Sequence, residues 1–553
     1  MSPGATAGAR VKQPRASSND AVATTPPRVV LLDSLPAAGL IALTEAGFAI
    51  DARTGLEGDA LADAIASADA VIVRSSTRIT RASLARAGRL RVIGRAGVGV
   101  DNIDVDAATE LGIAVLTAPS GNTVSAAEHA FALMLAAVRR VPAADRSMRA
   151  AEWDRKSYQG IELNGKTLGL IGAGLIGGEF ARRARAFGMR VIAYDPFLTD
   201  DRARTLGFAL ADLDTVLDSA DVISLHVPLT DSTRGMIGAD QLRRMKPGAF
   251  LINAARGGVI DEAALIDALR DGRLGGAALD VYATEPLPPD DPLRSAPRIV
   301  LTPHLGASTV EAQENVAREI AEAVRDALLH DDFSRAVNAP AIGGEAMHRM
   351  RPLLDLAERL GRILCAIDGG ALQHVDIRYA GQAADVMKPL AAATLVGVLG
   401  DVVGRGSVNL VNAAHLARTR GIDIGRTRLA KHANYAEYVE IEATGAAGSI
   451  RVAGALLDAA HPRVVRIGEF HVDVWPRGAL VILRNRDVPG VIGRVGSLLG
   501  DAGVNIAEYH QARLEQGGEA LAAISVDGVL SDETLRALRE VREVIDAKQV
   551  QLD

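Results

Sequence analysis

Thr167-Leu-Gly-Leu-Ile171-Gly172-Ala-Gly174-Leu-Ile-Gly177 is the stretch that decides how this 553-residue chain folds. A short apolar run reads as a buried strand, and three glycines in the pattern GxGxxG follow it. A helix-forming segment then passes through Phe180 to Phe187, and a second strand, Arg190–Tyr194, ends in Asp195. Glycines allow a tight turn and let the backbone approach a pyrophosphate, whose charge meets the helix N-terminus. Asp195 lies eighteen positions beyond Gly177, where a carboxylate accepts hydrogen bonds from adenosine ribose hydroxyls and repels a 2′-phosphate. Gly172, Gly174, Gly177 and Asp195 therefore predict a Rossmann-like unit that binds NAD.

Outward from this unit, further apolar runs alternate with helix-length amphipathic segments. Arg28–Asp33, Ala70–Val73 and Leu90–Gly94 precede it, and Asp221–Leu225 and Ala249–Asn253 follow. Such alternation predicts βαβ units and parallel sheets in an α/β fold. The Ala-rich apolar segment Ser125–Ala137 reads as a long buried helix between two such sheets. Past Asn338-Ala-Pro340 the texture changes, and residues 345–475 mix helices with strand-like runs such as Tyr438–Glu442. From Ala479 a small α+β unit begins with the strand Leu480–Leu483 and a Gly-spaced helix.

Composition narrows the function classes. There are 61 Lys and Arg against 68 Asp and Glu, a net charge of −7 that supports neither a nucleic-acid nor an acidic-membrane partner. No apolar stretch reaches the ~20 residues of a membrane span. The only cysteine, Cys365, reads as a packed core thiol, and the absence of any possible intrachain disulfide fits a reducing, cytoplasmic compartment. Residues 1–26 are rich in Ala, Ser, Thr, Pro and Arg without an apolar core, and are expected to form a disordered extension. No metal site is expected.

Three segments beyond the glycine loop carry chemistry: Asn253-Ala254-Ala255-Arg256, Asp280-Val-Tyr-Ala-Thr-Glu285 and Leu301-Thr-Pro-His304. Each follows a strand, and ligands in open α/β sheets bind at the carboxyl ends of strands. Taking hydride from an alcohol carbon requires a base for the hydroxyl proton, a task suited to His304. A carboxylate such as Glu285 would stabilise and orient the imidazole, and Arg256 offers two prongs to a substrate carboxylate. His129, inside the apolar helix, reads as a packed core residue, and His226 as a pocket-lining residue without a carboxylate partner.

This ordered set, the glycine loop and the lead-in Trp153…Gly165-Lys166-Thr-Leu-Gly169 resemble the D-isomer-specific 2-hydroxyacid dehydrogenases over about residues 28–335. The resemblance implies catalytic roles for Arg256, Glu285 and His304. It adds cofactor contacts at Leu175, Ile176, Ala254, Ala255, Asp280, Leu305, Gly306 and Ala307. Arg74-Ser75, Gly94-Arg95-Ala-Gly97-Val98-Gly99 and Ser120-Gly-Asn122 offer glycine backbone N–H groups and cationic side chains, which suit a second anionic group on the substrate. They are similar to the phosphoglycerate dehydrogenase branch, which implies that 3-phosphoglycerate is held by Arg74, Ser75, Arg95, Gly97, Val98, Gly99 and Asn122.

Asn485-Arg-Asp487-Val-Pro-Gly490 followed by Gly503-Val-Asn505 resembles an ACT domain, a module that in this family binds L-serine. The implied effector residues are Asn485, Asp487 and Asn505, with one departure: long-form relatives often carry Tyr at the place of Asn485. Residues 340–475 resemble the intervening domain of the long-form enzymes. There Arg463 and Arg466 read as a solvated face, with an anionic effector as the alternative. The implied architecture is a flavodoxin-like substrate domain (27–124 and 307–335) with the Rossmann-like cofactor domain (125–306) inserted. An intervening α+β domain (336–476) and an ACT-like domain (477–553) follow, in a homo-oligomer, dimer or tetramer. Two alternatives stay open: a reductase of glyoxylate, hydroxypyruvate or 2-oxoglutarate, and a non-enzymatic NAD-sensing corepressor.

Overall fold

The runs of Val, Ile, Leu and Ala form parallel strands buried on both faces, as in sheets covered by crossover helices. The computed structural model describes residues 26–368, 372–445, 448–458 and 460–553. Apart from Pro26, the N-terminal extension lies outside the described residues. The first sheet contains β1 (Arg28–Leu31), β2 (Ala49–Ala52), β3 (Ala70–Val73), β4 (Val92–Arg95) and β5 (Ala114–Thr117). Its order, β2-β1-β3-β4-β5, is the flavodoxin-like one, and every pair is parallel.

The second sheet contains β6 (Thr167–Ile171), β7 (Arg190–Tyr194), β8 (Ala209–Leu210), β9 (Val222–Leu225), β10 (Phe250–Asn253), β11 (Gly276–Leu279) and β12 (Ile299–Leu301). Its parallel order is β12-β11-β10-β9-β6-β7-β8, so direction reverses between β6 and β9, beside the glycine loop. Helix Thr123–Val138 leads from the first sheet toward the second and buries Ala127, Ala130, Phe131 and Met134 in the latter's core. Its Phe131 meets Phe180 and Phe187 edge to face. Helix Val310–His330 returns to the first sheet, where Val316, Ile320, Val324 and Ala327 share a core with Val29, Ile72 and Leu116.

Strand ends differ from the sequence expectation where polar side chains have other work. Asp33 lies beyond β1 and accepts hydrogen bonds from the Arg74 and Thr77 amides. Asp221 precedes β9 and accepts from the Thr167 N–H at 2.8 Å. Leu90 is buried in the turn before β4. Cys365, expected in the core, is half-buried on helix Gly344–Asp368.

The C-terminal half holds β13 (Leu372–Ala380), β14 (Asp423–Arg428), β15 (Glu437–Gly445), β16 (Gly448–Leu457), β17 (His461–Ile467) and β18 (Phe470–Val474), in the order β14-β13-β15-β16-β17-β18. A last antiparallel sheet, β20-β21-β19-β22, is built from β19 (Ala479–Arg486), β20 (Ile506–Arg513), β21 (Glu519–Val526) and β22 (Val544–Gln551). Alternation along β19 divides its side chains between two cores. Ala479, Val481 and Leu483 pack with residues of helices Val491–Asp501 and Asp532–Glu540. Leu480 and Ile482 join the core of the preceding unit, with Leu356 and Val474. Leu480→Ala should therefore destabilise the C-terminal half by about 3 kcal/mol, the usual cost of truncating a buried leucine. Urea denaturation followed by Trp475 fluorescence in a Trp153→Phe background checks this, and a loss below about 1 kcal/mol would contradict a shared core.

Candidate active site

A cleft of about 1600 Å³ opens at the carboxyl ends of the strands of both parallel sheets. Arg74 and Ser75 reach it from β3, Arg95 from β4, Gly174 from the turn after β6, Arg256 from beyond β10, and His304 from beyond β12.

At the dinucleotide loop the glycines have different reasons to be there. Gly172 has φ +92°, and a Cβ on it would stand 2.5 Å from the His226 carbonyl oxygen. A Cβ on Gly177 would meet the Gly172 carbonyl at 2.2 Å, whereas one on Gly174 would meet nothing within 4 Å. The loop is thus tight on its protein side and open on its cleft side, just before helix Leu175–Ala186. The Asp195 carboxylate accepts from the Ala173 N–H at 2.8 Å and the Phe197 N–H at 2.9 Å, which leaves a lone pair on each oxygen. Open space at Gly174, a helix N-terminus and an acceptor carboxylate on the next strand fit an NAD dinucleotide. Leu175, Ile176, Ala254, Ala255, Gly306 and Ala307 also line the cleft.

His304 Nδ1 stands 2.7 Å from Glu285 Oε2, and this hydrogen bond raises the imidazole pKa against the opposing effect of burial. Burial pushes Glu285 up, but the bonds from His304 and the Tyr282 N–H outweigh it and leave the carboxylate below its ordinary value. His304 has φ +54°, a left-handed backbone that a residue with a Cβ rarely adopts. Asp280, expected to touch the cofactor, is 0% exposed. Its carboxylate instead accepts from the Leu305 N–H at 2.8 Å, the Gly306 N–H at 2.9 Å, the Thr302 hydroxyl at 2.6 Å and His129 Nε2 at 3.0 Å. His129 is therefore a half-buried hydrogen-bonding residue, where a packed core histidine was expected. His226 lines the cleft as expected, bonded to Ser224 and stacked obliquely on Phe180, with burial pushing its pKa down to about 4.

The arginines converge. Arg256 donates to the Ala255 carbonyl at 2.6 Å, and its Nε lies 3.3 Å from Asp101. Buried Asn253 holds this turn by donating to the Arg256 carbonyl and accepting from the Ala255 N–H. Burial, then the Arg256 charge, pull the Arg95 pKa down to about 10, and its buried Nε has no hydrogen-bond partner. The glycines of this loop, expected to present N–H groups, also make room for guanidinium groups. A Cβ on Gly97 would overlap Arg95 Nη1 at 1.6 Å, and one on Gly99 would overlap Arg256 Nη2 at 2.2 Å. The Arg74 amide donates to Asp33, and its carbonyl accepts from Asn102. Glu319, 8% exposed, accepts from the Ser120 and Gly121 amides and so holds Asn122, whose buried Oδ1 is unpartnered. The roles of Asp33, Glu319 and Thr302 went unread in the sequence because their partners lie 22 to 199 positions away along the chain.

The expected effector residues lie apart from this cleft. Asn485 is fully buried and donates to the Arg486 carbonyl, Asp487 pairs with Arg513 at 3.0 Å, and Asn505 donates to Asp527 at 2.8 Å. Arg466 pairs with Glu469, and Arg463 lies over Trp475 within 3.6 Å of Asp473, in keeping with an ion-paired surface.

A doubly wound sheet with this glycine loop, a His–Glu pair and clustered arginines defines the class: an NAD-dependent dehydrogenase of 2-hydroxy acids. Residues 131–306 match the D-isomer specific 2-hydroxyacid dehydrogenase, NAD binding domain, residues 349–468 the D-3-phosphoglycerate dehydrogenase intervening domain, and residues 479–543 the ACT domain. The D-3-phosphoglycerate dehydrogenase of Synechocystis sp. is 42% identical over 95% of this chain and 95% of its own length. That of Bacillus subtilis is 40% identical over 95% of this chain and 99% of its own. A glyoxylate reductase structure from Paecilomyes thermophila is 32% identical, with a TM-score of 0.53, covering 57% of this chain and 99% of its own. The chain belongs to the D-3-phosphoglycerate dehydrogenase family. Among the described residues no helix is long and apolar enough to cross a membrane.

Because the Glu285 bond holds the His304 proton, Glu285→Gln should lower the His304 pKa. NMR titration of selectively labelled histidine checks this, and an unchanged or higher value would contradict the pairing.

Proposed function

We propose that this protein oxidises 3-phospho-D-glycerate to 3-phosphohydroxypyruvate with NAD. The observation that carries this reading is the convergence of Arg74, Arg95 and Arg256 on one cleft, beside the His304–Glu285 pair. The buried Arg95 Nε there lacks a protein partner, and a buried cationic donor with a spare N–H calls for an anion. Arg256 grips the substrate carboxylate with its planar fork. Arg74 and Arg95, with Ser75, Gly97, Val98, Gly99 and Asn122, hold the phosphate. Neutral His304 accepts the C2 hydroxyl proton at Nε2, while Glu285 at Nδ1 stabilises the resulting imidazolium. Bound NAD, held by the Gly172–Gly177 loop, Asp195, Ala254 and Ala255, supplies the hydride acceptor. The buried Asp280 carboxylate keeps the Leu305–Gly306 backbone in place beside it.

The four sheets support a division into substrate binding at 27–124 and 307–335, cofactor binding at 125–306, an intervening unit at 336–476 and an ACT unit at 477–553. The product is a precursor of serine, and L-serine acting through Asn485, Asp487 and Asn505 would provide feedback in a cytoplasmic homo-oligomer, dimer or tetramer. A second reading, reduction of small 2-oxo acids, draws on the glyoxylate reductase likeness, which covers only 57% of this chain.

An assay of the purified protein with NAD and 3-phosphoglycerate, with and without L-serine, tests the reading. NADH formation is expected, and robust glyoxylate reduction without it would overturn the substrate assignment. Arg74→Ala should raise KM for phosphoglycerate far more than KM for NAD, and an equal rise in both would remove the phosphate role. His304→Ala should lower kcat by about 10³-fold, within the range a general base supplies.

A further inference from the structure

Helix Thr123–Val138 carries a half-buried histidine, His129, between buried Ala126, Ala127 and Ala130. His129 Nε2 stands 3.0 Å from Asp280 Oδ1 and 3.2 Å from Thr302 Oγ1. An ionised carboxylate only accepts, so Nε2 bears the hydrogen and the tautomer is set. The Thr302 hydroxyl donates to the same oxygen at 2.6 Å. Oδ1 also receives the Leu305 amide, and Oδ2 receives the Gly306 amide.

These contacts bracket the acid–base residue. Thr302 lies two positions before His304 and Leu305 one position after it, so a single carboxylate grips the chain on both flanks. The His304 N–H is itself bonded to the Asp280 carbonyl at 3.0 Å. A residue with a Cβ stays at φ +54° only when its surroundings impose that conformation. Without His129, the fully buried carboxylate would lose one of its donors in a place closed to solvent. Regaining a donor would require the carboxylate or the His304 loop to move.

We propose that His129 is a positioning residue for the dehydrogenase reaction: by donating its Nε2 hydrogen to Asp280, it fixes the backbone that presents His304. The proposal rests on the reading of His304 as the acid–base group. It also ties that group to the helix between the two sheets, whose Ser125 is bonded at 2.7 Å to Thr309 at the start of the returning helix. The charged groups around His304 are Glu285, Asp280 and Arg256. Removing the His129 donor leaves the Asp280 charge less neutralised, so His304 should hold its proton to higher pH.

The test compares His129→Leu, which keeps the bulk without the donor, with His129→Gln, which keeps an N–H. His129→Leu should lower kcat about tenfold or more, as small displacements of a reacting group do, with the melting temperature nearly unchanged. The rising limb of the pH profile for oxidation should move to higher pH, and His129→Gln should restore most of kcat. Wild-type kcat and pH limb in His129→Leu would overturn the proposal. So would equal kcat losses in both variants that track a fall in melting temperature. If His129→Leu does not fold, Thr302→Val takes its place: an upward shift of the limb supports the network, and an unshifted limb overturns it. His304→Ala separates the two readings, because retained activity there would refute the acid–base assignment irrespective of His129.

Discussion

Loops at the carboxyl ends of parallel strands leave backbone N–H groups outside the sheet ladder, and buried ones must find acceptors. In this protein, short acidic or amide side chains meet them: Asp33 beneath Arg74, Glu319 beneath Ser120 and Gly121, Asp195 beside Ala173, Asn253 beneath Ala255, and Asp280 beneath Leu305 and Gly306. Each clamp sits on or next to a strand or helix, so the loops inherit the rigidity of the sheets. Catalytic and binding side chains then project from backbones that have little freedom to drift, which is how a site gains precision from a scaffold.

Charge supplies the second constraint. Arg74, Arg95 and Arg256 share the cleft with Asp101, which approaches Arg256, while Asp33 is engaged with backbone amides. Burial and the neighbouring cations pull on the Arg95 proton, and an anionic ligand would offset both effects. A carboxylate and a phosphate on one small molecule meet that requirement at two ends. His304, its basicity raised by Glu285, lines the same cleft as the arginines, so one site can serve both anion capture and proton transfer.

Much of this was legible in the sequence because its signals are local. The strands β3, β6 and β7 fell where the apolar runs predicted them, and the glycine loop, Asp195, Arg256, Glu285 and His304 could be read from spacing and order. The clamps were invisible for the opposite reason: Glu319 meets Ser120 across 199 positions, and His129 meets Asp280 across 151. Nothing in an apolar helix distinguishes a packed histidine from one that donates to a distant carboxylate. Gly97 and Gly99 were noticed for their N–H groups, while the room their missing Cβ leaves for Arg95 and Arg256 was not legible. The effector set Asn485, Asp487 and Asn505 was named from a motif, and each is engaged within the last sheet or its turns.

The last two sheets share a core through Leu480 and Ile482, and helix Gly344–Asp368 contributes Leu356 and Leu360 to it. That helix begins near Asp331, which pairs with both Arg91 of the first sheet's unit and Arg351. Packing and ion pairs thus run from the last sheet to the unit of the first. A crystal structure with bound 3-phosphoglycerate tests the reading of the cleft most directly. The account predicts the phosphate against Arg74 and Arg95, the carboxylate on Arg256, and the C2 hydroxyl within about 3 Å of His304 Nε2. A phosphate seated away from those arginines, or a C2 hydroxyl out of reach of His304, would contradict it.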